Sequence, residues 1–220
     1  MNFSLSEENY LKTIFHLEQH FKEGVSTNAI AEKLETKPSS VTDMVQKLAE
    51  KEVIRYVKYK GTTLTEKGRK VAIKIIRKHR LWEVFLVDKL DFQWDEVHEI
   101  AEQLEHIASE ELINRLDEFL GFPTVDPHGD PIPTKEGLIK NSQKRLLSKL
   151  SVGEQGICVG VKDSESEFLK FLDKKNIAIG SQIEVLSKEE FDQSLQINLD
   201  GKLLYISKLI SENLYIKLDG

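Results

Sequence analysis

The first 65 residues contain the pattern that most limits the folds open to this chain: three short helical segments followed by a strand hairpin. Ser6 and Ser26 are the expected N-caps of the first two helices, and apolar residues recur at helical spacing in segments 6–21, 26–34 and 39–51. Residues 53–65 alternate between polar and apolar and turn near Lys60-Gly61. This order predicts a winged helix-turn-helix, whose third helix enters the DNA major groove. The alternative is a helical bundle with a surface hairpin and no role on DNA.

Side chains of the kinds that contact DNA are concentrated on the third helix and at the hairpin tip. Short polar groups at the start of a helix suit base edges and phosphates, and Asp43 can accept a hydrogen bond from a cytosine amine. Lysines add affinity that depends on salt rather than on base sequence. The candidate DNA-binding residues are therefore Lys37, Ser39, Ser40, Thr42, Asp43, Lys58, Tyr59 and Lys60.

Residues 97–106, with the sequence VHEIAEQLEH, combine histidines and carboxylates at helical spacing. Positions four, seven and eight apart share one side of a helix, which places His98, Glu102, Glu105 and His106 together. Convergent imidazole and carboxylate groups can bind a divalent cation. A solvated charged face that happens to contain histidines is the alternative interpretation.

Two longer helices surround this motif in the predicted secondary structure. The first covers residues 65–89 and places His79 and Glu83 one turn apart, as in either a metal site or an ordinary hydrogen bond on a helix surface. The second begins at Asp95, contains the motif and continues as one helix to Leu120. Its apolar stripe suits a dimer interface and core packing equally well, and consists of Ile107, Leu112, Ile113, Leu116 and Leu120.

Charge is distributed unevenly along the 220 residues, whose formal net charge is -6. Residues 1–89 contain 17 Lys and Arg against 12 Asp and Glu, whereas residues 90–130 contain 1 against 12. A basic segment suits phosphate contact and an acidic segment suits cation binding. The single cysteine, Cys158, excludes an internal disulfide and is expected to be an inert apolar residue. With no signal peptide pattern and no long apolar run, we expect a soluble cytoplasmic protein.

Beyond about Leu146 the chain changes to short alternating runs that predict strands, with one helix near residues 165–173. The predicted strands are residues 156–161, 178–186, 195–199, 203–206 and 214–218. Five short strands suggest a small barrel. We therefore predict a mainly α protein with β structure, divided into a winged helix-turn-helix domain (1–70), a helical metal-binding and dimerisation domain (71–140) and a small β-barrel domain (145–220).

Several of these runs together resemble the diphtheria-toxin-repressor/manganese-transport-regulator family. They are RKHRLWEVFL at 77–86, VHEIAEQLEH at 97–106 and GFPTVDPHGDPIP at 121–133. The opening SEENYLKTIFHL, the segment KPSSVTDMVQKL and the C-terminal unit are similar to that family's first helix, recognition helix and SH3-like (FeoA-like) domain, so the resemblance covers nearly the whole chain. It implies a homodimeric, metal-activated repressor of metal-uptake genes that binds double-stranded operator DNA. No enzymatic activity, membrane partner or small organic substrate is expected.

The resemblance also implies two sets of metal ligands. The primary site would consist of Asn9, Glu102, Glu105 and His106. The ancillary site would contain three helix residues together with loop and C-terminal residues, namely His79, Glu83, His98, Asp126, His128 and Asp163. Asp126 and His128 suit a tight turn as well as a ligand role, and Asp163 suits an ordinary surface acid.

The ligand types favour manganese. Iron-responsive members of the family place a cysteine where this chain has Glu102, and manganese-responsive members place a glutamate there. A carboxylate favours Mn²⁺, although Fe²⁺ is an alternative and Zn²⁺ or Co²⁺ can occupy such a site in vitro. Asn9 departs from the family, which usually has Asp or Met there, and its neutral amide oxygen is a weaker ligand.

A metallohydrolase is the alternative from another functional class. The arrangement Glu102-x-x-Glu105-His106 is similar to the H-x-x-E-H pattern of inverted zinc peptidases, with Glu105 as the base. Glu102 occupies the place of the first histidine, and the pattern does not account for the hairpin or the C-terminal strands.

Overall fold

A computed structural model describes residues 3–21, 23–57, 60–140 and 143–218. The chain divides into two compact units. The first unit comprises Met1–His79, Glu102–Asn114 and Pro133–Leu138. The second comprises Arg80–Ala101, Arg115–Ile132 and Ile139–Gly220. The predicted division into domains 1–70, 71–140 and 145–220 follows sequence boundaries instead and stays a prediction.

The first unit contains the predicted winged helix-turn-helix. Its elements are α1 (Leu5–Glu18), α2 (Thr27–Lys33), α3 (Pro38–Glu50), β1 (Ile54–Val57) and β2 (Gly61–Leu64), and the two strands pair antiparallel. Ser26 caps α2 as predicted, and Pro38 occupies the first turn of α3, where its missing N–H has no cost. The elements enclose a fully buried apolar core that includes Leu11, Ile14, Ile30, Val41, Val45 and Leu48.

The first helix begins two residues earlier than predicted. Ser4, not Ser6, is the N-cap, because Glu7 lies three residues after it and completes a capping box. The Ser4 hydroxyl accepts from the Glu7 backbone N–H at 3.3 Å, and Glu7 Oε2 accepts from the Ser4 N–H at 2.8 Å. The helix ends at Glu18, before the predicted end at residue 21.

The predicted single helix over residues 95–120 is wrong. The structure has α4 (Glu66–Leu90), α5 (Val97–Leu104) and α6 (Glu110–Phe119). The Ile107 N–H donates to the Leu104 carbonyl at 3.1 Å and closes a turn, and the Ser109 hydroxyl accepts from the Leu112 N–H at 3.2 Å at the start of α6. Helical apolar spacing continues across this break and conceals it. Glu105 and His106 therefore lie in the turn after α5 and do not share a helix face with His98 and Glu102.

The second unit contains an antiparallel six-stranded sheet. Its elements are β3 (Arg145–Leu146), β4 (Gln155–Val161), α7 (Ser166–Lys174), β5 (Gln182–Lys188), β6 (Leu195–Leu199), β7 (Lys202–Ile206), α8 (Lys208–Ser211) and β8 (Leu214–Leu218). The five predicted strands are present, but in the described residues the order β3-β8-β4-β5-β6-β7 leaves two unpaired edges and the sheet does not close into a barrel. Cys158 is buried in its core, as expected of an apolar residue. No helix of the described residues is long and apolar enough to cross a membrane.

Candidate metal centres and nucleic-acid interface

The outer face of α3 presents most of the predicted DNA-binding side chains. Val41, Val45 and Leu48 are buried on the opposite face and fix the orientation of the helix. Thr42 is half-buried, and its hydroxyl donates to the Pro38 carbonyl at 3.0 Å, which leaves the oxygen lone pairs as acceptors. The exposed candidates are Lys37, Ser39, Ser40, Asp43 and Lys60.

The hairpin that would form the wing is attached closely to the loop before α2. Val25 and Thr62 exchange backbone hydrogen bonds of 2.9 and 2.8 Å. Gly61 permits this approach, because a Cβ there would lie 2.8 Å from the Val25 carbonyl oxygen and its φ is +96°. Lys58 and Tyr59, the other two predicted contacts, lie outside the described residues.

The predicted primary ligands lie in the first unit, where α1 meets the turn after α5. We call Asn9, Glu102, Glu105 and His106 the first cluster. Glu105 is fully buried, and its Oε1 lies 3.9 Å from His106 Nε2. His106 Nδ1 lies 2.6 Å from Oε2 of Glu8 on α1, so this ring has its other nitrogen turned towards Glu105.

Two residues outside the predicted primary set contact Glu105. Lys12 was predicted for neither site, and His79 was predicted for the ancillary site. His79 Nδ1 lies 2.6 Å from Glu105 Oε2, whereas the sequence assigned His79 to the ancillary set. The ammonium of Lys12 lies 2.7 Å from Glu105 Oε1 and 3.2 Å from Glu102 Oε1. Burial raises the pKa of Glu105, but the His79 hydrogen bond and the Lys12 charge outweigh it and leave the pKa below its usual value.

Asn9 is the weakest ligand on chemical grounds, yet its surroundings fit a cation. Its Oδ1 is buried and has no hydrogen-bond partner within the described residues. An unpartnered buried carbonyl oxygen costs free energy that a bound cation would recover. With two carboxylates and one imidazole, the donor set of the first cluster therefore fits a divalent metal ion.

The second cluster consists of Glu83, Asp126 and His128 and lies within the second unit. All three residues are buried, and each offers a ligand atom within 4.8 Å of the other two. His128 Nδ1 lies 3.7 Å from Glu83 Oε2, and His128 Nε2 lies 2.8 Å from the backbone oxygen of Trp94. That carbonyl can only accept, so Nε2 carries a proton and Nδ1 is the nitrogen that could bind a metal.

The acid-base state of the second cluster follows from its burial. Burial and the charge of Glu83 raise the pKa of Asp126 to about 7, and the charge of Arg80 offsets this only in part. Burial alone would lower the pKa of His128, but its ionic contact with Glu83 outweighs burial and raises the pKa to about 9. At neutral pH the cluster therefore holds protons that a metal would have to displace.

His98 and Asp163, two further predicted ancillary ligands, differ in whether they contact this cluster. His98 is half exposed, with Nδ1 3.4 Å from Glu83 Oε1. Asp163 Oδ1 accepts from the Glu165 N–H at 3.0 Å, and Asp163 does not belong to the second cluster among the residues that the structure describes. Asp126 Oδ1 accepts the N–H groups of His128 and Asp130 at 2.9 and 3.0 Å, which is the turn geometry that its sequence suggested.

Arg80 is the counter-ion of the second cluster, as Lys12 is of the first. Its Nε lies 3.3 Å from Asp126 Oδ2, and its terminal nitrogens donate to Asp130 and to the Pro131 carbonyl. Sequence reasoning missed both cations, although each shares a helix face with a predicted ligand. Lys12 follows Asn9 by three residues and Arg80 precedes Glu83 by three, a spacing that could have identified them.

A helix-turn-helix unit combined with buried carboxylate and imidazole clusters defines the class of metal-responsive DNA-binding regulators. Comparison with known families agrees. The iron-dependent repressor N-terminal DNA-binding domain matches residues 2–62, the iron-dependent repressor metal-binding and dimerisation domain matches residues 65–134, and the FeoA domain matches residues 145–218. The chain belongs to the iron-dependent repressor family.

Individual relatives support the assignment. The iron-dependent repressor IdeR of Mycobacterium tuberculosis H37Rv is 41% identical over 128 residues, which cover 57% of this chain and 54% of that protein. The chain therefore spans about half the length of the curated relatives it matches. A solved manganese-dependent transcriptional repressor in complex with manganese is 33% identical with a TM-score of 0.87, covering 96% of this chain and 98% of that one. The manganese regulator SloR is 33% identical with a TM-score of 0.78, covering 97% and 98%.

The metallohydrolase alternative is not supported. Its pattern requires Glu102, Glu105 and His106 on one helix, but α5 ends at Leu104. The relatives named above and the two matched iron-dependent repressor domains belong to transcriptional repressors, a non-enzymatic class.

Proposed function

We propose that this protein is a metal-dependent transcriptional repressor that binds operator DNA as a homodimer in the cytoplasm. One observation carries the proposal: α1 contacts both the first cluster and the candidate reading helix. Glu8 of α1 contacts His106, whereas Glu7 lies 2.7 Å from Lys51 and 3.1 Å from Lys47, at the end of α3. A change in the metal site would thus reach the DNA-binding helix through one element.

The ligand roles follow from the positions of the side chains. Asn9 would present its Oδ1 from α1, and Glu102, Glu105 and His106 would complete the primary site from the other chain segment. When bound, a divalent cation supplies positive charge that cancels the repulsion between the carboxylates. The second cluster, with His98 and Asp163, would provide the ancillary site, and the role of His79 as an ancillary ligand stays a prediction.

Mn²⁺ is the metal we favour, with Fe²⁺ as the alternative. The donor atoms of both clusters are oxygen and imidazole nitrogen without a thiolate, a set that suits Mn²⁺. Affinity for nitrogen and oxygen sites rises from Mn²⁺ towards Zn²⁺, so Zn²⁺ and Co²⁺ are expected to bind in vitro as well.

The DNA would be contacted by two elements of the first unit. We place α3 in the major groove, with Ser39, Ser40, Thr42 and Asp43 near base edges or phosphates, while Lys37 and the wing lysines contact the backbone. A dimer would read two half-sites one helical turn or a multiple apart. Metal binding in both subunits would select the orientation of the two reading helices that matches this spacing, and DNA must then tighten metal binding by the same factor.

The test is a fluorescence anisotropy titration of duplexes taken from upstream of metal-uptake genes, with a shuffled duplex as the control. Mn²⁺, Fe²⁺ under anaerobic conditions, and Zn²⁺ are each added to metal-free protein. We expect metal to tighten binding to one duplex by about 5- to 150-fold, the usual range of coupling between two sites. EDTA should reverse this effect. Binding that is the same with metal and with EDTA would contradict the proposal.

A further inference from the structure

Lys12 is the feature of the first cluster that the proposed function does not use. It lies on α1, one turn after Glu8, and only 11% of its side chain is exposed. Its ammonium contacts both carboxylates of the cluster, at 2.7 Å and 2.9 Å from the oxygens of Glu105 and at 3.2 Å from Glu102. This lysine is thus the cation that the chain itself provides at the predicted metal position.

We propose that Lys12 is an internal competitor of the first metal site, whose ammonium must leave Glu102 and Glu105 before a metal ion can bind both carboxylates. The inference rests on the proposed function, because it assumes that the first cluster binds metal. It assigns Lys12 the role of setting the metal concentration at which the site fills.

The chemistry of the ammonium group makes the two states exclusive. A lysine ammonium has three donors and no lone pair, so it cannot become a metal ligand while it keeps its charge. A divalent cation between the same oxygens would lie a few ångströms from that charge, and the repulsion is twice that between two single charges. Lysine has a flexible stem of four carbons, which allows the ammonium to move away without unfolding α1.

The same contact explains how the metal-free cluster tolerates its own charges. Glu105 is fully buried, and a buried carboxylate without a partner is strongly unfavourable. His79 contacts one oxygen of Glu105 and Lys12 contacts both. Removal of the lysine charge should therefore destabilise the metal-free protein and strengthen metal binding at the same time.

The test compares Mn²⁺ binding by full-length protein and Lys12→Met, which keeps the apolar stem and removes the charge. Both carry His128→Ala, so that the second cluster does not contribute, and isothermal titration measures Mn²⁺ affinity. We expect Lys12→Met to bind Mn²⁺ about tenfold more tightly, because one hydrogen-bonded ion pair no longer has to be broken. Thermal melting should show a lower Tm without metal and a larger rise in Tm with Mn²⁺.

Lys74→Met is the matched control. Lys74 also lies in the first unit and pairs with Glu110, but both side chains are well exposed. Its loss removes the same charge and should change Mn²⁺ affinity by no more than about twofold, as expected for an exposed pair. A purely structural role of Lys12 would lower the Tm without tightening Mn²⁺ binding.

Affinity that is equal or weaker in Lys12→Met overturns the inference. If Lys12→Met does not fold without metal, Lys12→Arg replaces it: the guanidinium keeps the charge and holds carboxylates in a fork, so tighter Mn²⁺ binding by that variant overturns the inference. Glu105→Ala distinguishes failure of the proposed primary metal site from failure of the proposed role of Lys12. If it leaves Mn²⁺ binding unchanged, the primary site itself is wrong, whereas loss of binding with no effect of Lys12→Met rejects the lysine's role alone.

Discussion

The two clusters differ in what a metal ion must displace. In the second cluster the ligand atoms of Glu83, Asp126 and His128 already lie within 4.8 Å of one another. A metal ion there must displace the protons that Asp126 and His128 hold because their pKa values are raised. In the first cluster a lysine ammonium lies between Glu102 and Glu105, and the described residues bring no equally close group of three ligand atoms together there. The second site has its ligand atoms close together but holds protons, whereas in the first site a lysine ammonium contacts both carboxylates.

The two clusters are therefore expected to have different roles in the protein. The second cluster and its counter-ion Arg80 belong to the second unit, and the Asp126 turn fixes two of its residues locally. The first cluster combines α1 with a distant segment of the chain and shares its unit with α3. We therefore expect the first cluster to control DNA binding and the second to contribute mainly to stability.

The largest expected effect comes from removing the first cluster. Glu105→Ala combined with His106→Ala should abolish the metal-induced gain in operator affinity, a loss that can reach about 100-fold within the usual range of such coupling. His128→Ala should reduce that gain less, by about tenfold, the lower end of the effect of groups that support a metal site from outside its primary ligand set. Anisotropy titrations with Mn²⁺ compare the two variants, and a larger loss in His128→Ala would reverse the comparison.

The second expected effect is a difference in pH dependence. Asp126 and His128 have pKa values raised to about 7 and about 9, so both hold protons that metal must release, and affinity at the second cluster should rise with pH up to about 9. We expect Mn²⁺ affinity to fall by at least about tenfold per unit from pH 8 to pH 6 when the first cluster is deleted.

The control for this titration is His128→Ala, in which only the first cluster remains intact. The pKa of Glu105 is lowered, so this carboxylate adds no proton competition near neutral pH. The slope of Mn²⁺ affinity against pH should therefore be smaller in His128→Ala. Equal slopes, measured by isothermal titration in several buffers, would remove the distinction between the clusters.

A third effect concerns Arg80, the counter-ion of the second cluster. Arg80→Lys keeps the charge but loses the planar fork that joins Asp126, Asp130 and the Pro131 carbonyl. We expect the free energy of unfolding to fall by about 1 kcal/mol, roughly a fivefold change in the folding equilibrium. Urea denaturation of metal-free protein measures it, and an unchanged midpoint would show that Arg80 does not hold this loop.

The smallest expected effect tests Asn9, which stands where the family usually has Asp or Met. Asn9→Asp adds a charged ligand to the first cluster, but Lys12 is close by and neutralises part of that charge. We expect Mn²⁺ affinity to rise by only about threefold, because affinity follows ligand charge. In a Lys12→Met background the same substitution should have a larger effect, and additive effects of the two changes would argue against their interaction.

Local patterns in the sequence predicted most of the fold. The bounds of β6 (Leu195–Leu199) and β8 (Leu214–Leu218) were predicted to the residue, because alternation of apolar side chains reports directly on a half-buried strand. The break between α5 and α6 was missed, since helical periodicity continues through it. The capping signal of Ser109 and the acidic residues Glu110 and Glu111 in the first turn mark the new helix.

The candidate sites were less accessible to sequence reasoning. Family resemblance supplied the ligands, but the pairing of Lys12 with Glu102 and Glu105 joins residues 90 and 93 positions apart. The spacing from Asn9 places Lys12 on the ligand side of α1 but does not identify these two partners. For the same reason His79 was not expected beside Glu105. The sequence did predict the turn at Asp126, and the structure contains it. The role of Asp126 as a metal ligand stays a prediction.

The three consecutive residues Glu7, Glu8 and Asn9 have a consequence for rigid-body motion. Glu7 is almost fully buried and is paired with Lys47 of α3 and with Lys51, the residue after α3. Glu8 contacts His106, and Asn9 has a buried oxygen with no hydrogen-bond partner among the described residues. Successive residues on a helix are separated by about 100° of rotation and 1.5 Å of rise. Any rotation of α1 about its own axis therefore turns Glu7, the partner of α3, and Asn9, the proposed metal ligand, by the same angle, and this motion requires no relay of side chains.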